Sequence, residues 1–251
     1  MPDPFPWLVL LAGLAAGAVN AIAGGGTLLT FPALLAAGLS PVVANTTSTI
    51  ALWFGIPGSV WSFRHRLREV RAWIWPMGLV SLVGGGVGAW LLLAMPESIF
   101  EVAIPWLILL ATGLFLFNEP LRRWARAHAG EPEGPSPKAL AFQSVVAIYG
   151  GYFGAGIGIM MLAGLGILGF RDVNRMNALK NLLGALCNTA ATIGFLVSGR
   201  YDLPHALILL AGAFPGYFIG AHFAQRIPAK VVRVIVAAIG IGLAAKLLFS
   251  S

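Results

Sequence analysis

Long apolar runs separated by short polar breaks dominate this chain. Ten segments can be traced, at 5–23, 27–39, 41–63, 73–95, 99–117, 138–155, 157–170, 173–197, 203–225 and 229–249. A helix needs about 20 residues to cross the hydrocarbon core of a bilayer, and most segments comply. The pattern predicts an all-α polytopic membrane protein. Segments 27–39 and 157–170 are too short. They are either strongly shortened spans or the return arms of hairpins that turn back inside the bilayer.

The one long polar stretch, "NEPLRRWARAHAGEPEGPSPK", falls between the fifth and sixth segments. It divides the chain into an N-terminal transmembrane repeat (1–117), a cytoplasmic linker (118–137) and a C-terminal transmembrane repeat (138–251). Sliding the first half onto the second by 132 positions aligns segment ends and helix breakers without a gap. Ala23, Gly24 and Gly26 then meet Ala155, Gly156 and Gly158; Asn45 meets Asn177; Gly84, Gly88 and Ala89 meet Gly216, Gly220 and Ala221; Pro96 meets Pro228. Self-similarity of this kind is the usual sign of transporter repeats.

Composition agrees with a membrane class: 58% of the 251 residues are hydrophobic and 10% charged, against about a quarter charged in soluble domains. The net charge of +7 does not indicate nucleic acid, because the basic residues sit in short loops between apolar runs, as orientation signals do. The single cysteine, Cys187, excludes an internal disulfide framework and a cysteine-rich metal site. No basic residue precedes the first apolar run, which argues against a cleaved signal peptide.

Basic loops stay cytoplasmic. Arg64, Arg66, Arg68 and Arg71 follow the third segment, and Arg122, Arg123, Arg126 and Lys138 the fifth. With Arg171, Arg175, Arg226, Lys230 and Arg233, thirteen of the 16 basic residues fall inside; Lys180, Arg200 and Lys246 do not. Both termini come out non-cytoplasmic. An odd number of crossings per half makes the second repeat upside down relative to the first. The expected fold is therefore two inverted-topology repeats of five segments each, with glycine-broken helices or re-entrant hairpins at the centre.

"AGGGT" (23–27) and "GAGIG" (154–158) are the matched breaks. Irregular backbone is tolerated inside a membrane only where it faces protein or a water-filled cavity. A helix resuming after such a break points free N–H groups and the positive end of its dipole into the gap. Gly24, Gly25, Gly26 and Thr27 in one half, and Gly156, Ile157, Gly158 and Ile159 in the other, are thus expected to face an anion at the repeat interface. The other small-residue runs, "GGGVG" (84–88) and "PGYFIGA" (215–221), read as tight helix packing.

Segment 173–197 carries Asn177, Lys180, Asn181, Asn188 and Thr192, mostly along one helical face, and segment 41–63 carries Asn45, Ser48 and Thr49. The 132-residue shift sets Ser48 against Lys180. Lys180 is the one basic residue well inside an apolar span, where an ionisable group is a functional candidate. The alternative is that it snorkels towards the cytoplasmic surface. Asn188 and Thr192 suit interhelical hydrogen bonds equally well. All nine acidic residues lie at segment ends or in loops, whereas cation carriers and proton relays place a carboxylate in the membrane. A pathway of one lysine, amides and hydroxyls suits an anion. His222 reads as a packed or interfacial residue; Cys187, Met160, Met161 and Met176 read as core filler; Trp7, Trp61, Trp73, Trp75 and Trp124 read as an interfacial belt.

"GAVNAIAGGGTLLTFPALLAAGLSPVVANTTS" and "GGYFGAGIGIMMLAGLGILGFRDVNRMNALKN" together resemble the TauE/SafE family over nearly the whole chain. Each holds a glycine cluster, a short apolar arm, a small loop and a helix start bearing asparagine. The second cluster departs in spacing its glycines at 154, 156 and 158. The resemblance implies a transporter of sulfur-containing anions such as sulfite, sulfoacetate and related sulfonates.

The expected function is secondary transport of a small inorganic or organosulfonate anion, as export of sulfite or an organosulfonate across the cell inner membrane. Substrate-binding candidates are the eight break residues with Asn45, Ser48, Asn177 and Lys180. No cofactor, metal or nucleic acid is expected; membrane lipid is a partner, and a homodimer is compatible with the pattern. Uptake, a channel, or a non-transporting accessory subunit are the alternatives. A membrane enzyme is disfavoured by the lack of an intramembrane carboxylate or histidine pair.

Overall fold

The computed structural model describes residues 6–22, 25–117, 119–120, 123, 134–223 and 229–249. They form α1 (Pro6–Ile22), α2 (Thr27–Ala36), α3 (Pro41–Trp53), α4 (Ile56–Ser62), a 3-10 helix (Arg64–Val70), α5 (Arg71–Ala94), α6 (Glu97–Leu116), α7 (Pro137–Tyr152), α8 (Ile157–Ile167), α9 (Val173–Ser198), α10 (Leu203–Phe223) and α11 (Ala229–Phe249). No strand occurs among the described residues. Three helical stretches are long and apolar enough to cross a membrane: Arg64–Ala94 with 31 residues, Glu97–Leu116 with 20 and Val173–Ser198 with 26. α2 and α8 have 10 and 11 residues, a rise of about 15 to 17 Å at ~1.5 Å per residue. Neither can cross a ~30 Å core alone.

Local chemistry explains the helix ends. Ser40 precedes Pro41 at the start of α3, and Ser136 precedes Pro137 at α7, where its hydroxyl accepts from the Ala139 N–H. Proline suits the first turn because no helical partner awaits its missing N–H. Asp172 caps α9, its Oδ1 accepting from the N–H groups of Asn174 (2.7 Å) and Arg175 (3.4 Å). Those bonds, that to Asn174 first, hold the Asp172 carboxyl below the ordinary carboxylate range. A lowered folded value means the cap contributes at neutral pH and is lost as pH falls through that value. Amide exchange at Asn174 and Arg175 should therefore accelerate below the normal carboxylate range, and Asp172→Asn should remove that pH dependence.

Two expectations are corrected. Segment 41–63, read as one run, is split between α3 and α4 at Phe54 and Gly55. Pro57 lacks the N–H for a bond to Trp53, and its ring would strike that carbonyl in a continuous helix. The Tyr217 ring fills the space where a Gly55 side chain would stand. Segment 173–197 has no such proline and runs unbroken as α9. The basic stretch after segment three is the 3-10 helix, not a loop.

Helix pairs match between the two halves of the chain. α1 packs on α10 as α5 packs on α7; α3 meets α10 as α9 meets α5; α2 meets α11 as α8 meets α6. α3 crosses α9, and α6 crosses α11. In lipid no hydrophobic force drives helices together, so close backbone approach carries the association. A side chain on Gly17 would strike the Ala213 carbonyl, one on Gly216 the Leu14 carbonyl, and one on Gly88 the Ile148 carbonyl. Trp73, near the start of α5, is buried edge-on against Phe170, their centroids 5.0 Å apart. Cys187, Met161 and Met176 are buried, as core filler should be. The His222 side chain, Trp124 and most of the linker lie outside what is described.

Candidate functional site

Four residues separate α1 from α2, and four separate α7 from α8. Glycine is required in both breaks: Gly25 has φ +100°, and Gly154 and Gly156 have φ +80°, a left-handed region that a Cβ disfavours. Both breaks rest on α6 one turn apart, Gly25 against the Phe115 ring and Gly156 against Ala111 and Leu114. Phe31 of α2 meets Phe153 of the second break edge-on at 5.6 Å. Asn45 reaches the same break from α3, its Nδ2 donating to the Tyr152 carbonyl at 3.0 Å.

The backbone donors are not equally available. The Gly26 N–H donates to Asn20 Oδ1 at 2.7 Å, so α2 is capped from within. Asn20 Nδ2 donates to the Tyr217 hydroxyl (3.1 Å), which donates to the Leu52 carbonyl (3.4 Å) at the end of α3, a carbonyl that also accepts from the Gly55 N–H. In the second break Ile157 and Ile159 donate to the carbonyls of Gly154 and Gly156. Gly158, in the first turn of α8, takes no backbone partner among the described residues. The Lys180 side chain passes its position, with Cδ 3.5 Å from where a Gly158 Cβ would stand. Gly24 lies outside the described residues.

Removing the internal cap should be measurable. Asn20→Leu strands the Gly26 N–H and takes one donor away from the Tyr217 hydroxyl, a loss of about 1–3 kcal/mol. Tyr217→Phe deletes one hydroxyl, about 1 kcal/mol. Thermal unfolding in detergent should rank the variants in that order.

The expected cluster of Asn45, Ser48, Asn177 and Lys180 does not assemble. α3 and α9 run antiparallel: the Thr46 hydroxyl donates to the Arg200 carbonyl, Trp53 Nε1 to the Thr189 hydroxyl at 2.9 Å, and Asn181 Nδ2 to the Ser59 carbonyl at 3.3 Å. Ser48 therefore lies beside the 189–200 stretch, while Lys180 is nine residues before Thr189, about 13 Å further along at ~1.5 Å per residue. Ser48 is instead buried against the Thr30 hydroxyl. An antiparallel pair places matched positions on opposite sides of its crossing, so one small anion cannot span both.

Lys180 and Asn177 remain together, three residues apart on one face of α9 and both partly buried. Asn181 is tied to Ser59, and Asn188 Nδ2 donates to the Gly184 carbonyl within its own helix. Neither Asn188 nor Thr192 bridges helices through a described bond; the Thr192 hydroxyl is buried with no partner among the described residues. So is Asn45 Oδ1, and because Nδ2 must face the Tyr152 carbonyl this orphan is an acceptor. Sequence reasoning missed Asn20, Tyr217 and Thr30. Asn20 was legible as an amide six residues before Gly26, but its Tyr217 partner, 197 positions away, was not.

The arrangement is a lysine stem laid beside Gly158 in the first turn of a short helix whose other first-turn N–H groups, those of Ile157, Ile159 and Met160, already donate to the break. Comparisons with known proteins agree in class. The family model described as "Sulfite exporter TauE/SafE" matches residues 9–247. A Sinorhizobium protein named "Probable membrane transporter protein ORF9" is 28% identical over 240 residues, covering 96% of this chain and 91% of its own. A "Probable membrane transporter protein" of Haemophilus influenzae is 28% identical over 248 residues (96% and 94%), and the Escherichia coli "Probable membrane transporter protein YfcA" 26% over 251 (97% and 90%). No solved structure matches. With a family match reaching almost from end to end, the chain belongs to the TauE/SafE family of membrane transporters.

Proposed function

We propose that the protein exports a small sulfur-containing anion, sulfite or an organosulfonate, across the cytoplasmic membrane, with Lys180 as the charge that holds it. The observation that carries this reading is the placement of Lys180 against Gly158 at the start of α8. The Lys180 stem passes Gly158 there, which brings a positive charge towards the N-terminal end of α8, where the helix dipole also favours an anion, with Asn177 one turn away. The family description, which names a sulfite exporter, supports the choice of cargo. This site is narrower than the sequence suggested: it draws on the second break, while Asn20 already serves the first.

The halves 1–117 and 138–251 act as inverted repeats in this reading, joined by a cytoplasmic linker, with both termini outside. The matched helix pairs support a two-fold relation between them, and the placement of arginine and lysine supports the orientation. With the interior negative, outward movement of one negative charge is favoured by roughly 2.3 kcal/mol per 100 mV, so export needs no coupling ion, cofactor or catalytic group. The test is efflux from proteoliposomes loaded with sulfite, methanesulfonate or chloride. Sulfur anions should leave faster than from protein-free vesicles and chloride should not; equal rates for all three would overturn the reading.

A further inference from the structure

α9 is a single rod with one cross-half ion pair in its first turn and another just past its end. At its start Arg175 Nε meets Glu69 Oε2 of the 3-10 helix at 2.7 Å, and Glu69 Oε1 also meets Arg66 at 3.0 Å. Just past its end Arg200 meets Glu97 Oε2 of α6 at 3.5 Å, while Glu97 Oε1 accepts from the Val42 N–H at 3.2 Å. Thr46 holds the Arg200 carbonyl, and the Asp202 N–H donates to the Thr47 hydroxyl at 2.9 Å. Arg175 and Arg200 are 25 residues apart, about 38 Å at ~1.5 Å per residue, more than the ~30 Å core. The pairs thus stand at opposite faces, and each joins the first half of the chain to the second.

We propose that Glu69–Arg175 and Glu97–Arg200 are two clasps that open in alternation, and that this structure, with both shut, is the occluded state. The crossing of α3 and α9 at Trp53 and Thr189 lies between them. Tilting a rigid α9 about that crossing swings its two ends in opposite directions, so one clasp lengthens while the other is pressed against its partner. Lys180 sits between the crossing and the Glu69 clasp, so opening that end exposes it. The clasps differ in chemistry. Glu69 and Arg175 are part-exposed charges, 30% and 48% accessible, and salt screens such pairs. Arg200 and Glu97 are similarly accessible, 37% and 32%, but that end adds hydrogen bonds to Thr46 and Thr47, both fully buried, which salt leaves largely intact. Raising ionic strength therefore opens the Glu69 end first.

The inference rests on the transport reading for its purpose, but its test needs no cargo. On a Cys187→Ala background, spin labels at Arg68→Cys and Asn174→Cys report one end, and labels at Ser98→Cys and Leu203→Cys the other. Pulsed electron resonance in lipid nanodiscs should give one short distance per pair. Glu69→Gln should raise a longer population at 68–174 up to about fivefold, the reach of an exposed ion pair, and leave 98–203 unchanged. Glu97→Gln should do the reverse, and the exchange Glu69→Arg with Arg175→Glu should restore the short distance. If neither substitution moves its own end, or each moves both ends together, the alternating clasps are refuted whether or not sulfite is carried.

Discussion

Replacing Lys180 with methionine will slow sulfite efflux roughly ten- to a hundredfold, the range expected when a hydrogen bond to a charged group is lost. Methionine keeps an unbranched chain of similar length, so the contact over Gly158 survives while the charge goes. Unfolding temperature, measured alongside, separates a binding role from a structural one. Falling transport with maintained stability is the signature of a binding role. Lys180→Arg should retain part of the rate, since the charge remains but the planar guanidinium is bulkier than an ammonium. Efflux at the parent rate in Lys180→Met, measured at matched membrane potential, would remove lysine from the site.

Gly88→Ala is expected to destabilise the fold by about 1–3 kcal/mol, the usual result of overpacking, and to do so at a site far from any charge. The added methyl would meet the Ile148 carbonyl and the Tyr152 N–H, which are backbone and cannot rotate aside. α5 and α7 would have to separate, and Tyr152 ends the helix that leads into the second break. Two positions earlier, Gly86 has nothing within 4 Å of a built Cβ. Gly86→Ala should be neutral or gain up to ~1 kcal/mol, because alanine favours a helix over glycine. Thermal unfolding of both variants in one detergent decides the matter: equal effects would mean that α5 and α7 do not meet as described.

Much of the architecture was legible beforehand. Expected segments 73–95, 99–117 and 229–249 correspond to helices 71–94, 97–116 and 229–249, because apolar runs of spanning length have few alternatives in lipid. The break between α3 and α4 escaped because "FGIPG" is as apolar as its flanks, although Pro57 was there to be read. The site was half legible. Lys180 stood out by its cost in a membrane, and Gly158 by its place in a break. Ser48 and Asn45 were grouped with Lys180 because a shift along the sequence makes matched residues neighbours on paper, whereas an antiparallel crossing sets them on opposite sides.

The sequence by itself determined the class, the number and length of most helices, where glycine must interrupt them, and which charge lies inside an apolar span, since each of these follows from a residue's own transfer cost or backbone freedom. Only the tertiary structure decided which side chain meets each helix start. Asn20 closes one helix start from 197 residues short of its partner Tyr217, and Lys180 covers the other from α9. Hydrogen bonds are satisfied by whatever the fold brings near, so nothing in the local pattern of two matching glycine clusters could distinguish the start that Asn20 caps from the one that Lys180 passes.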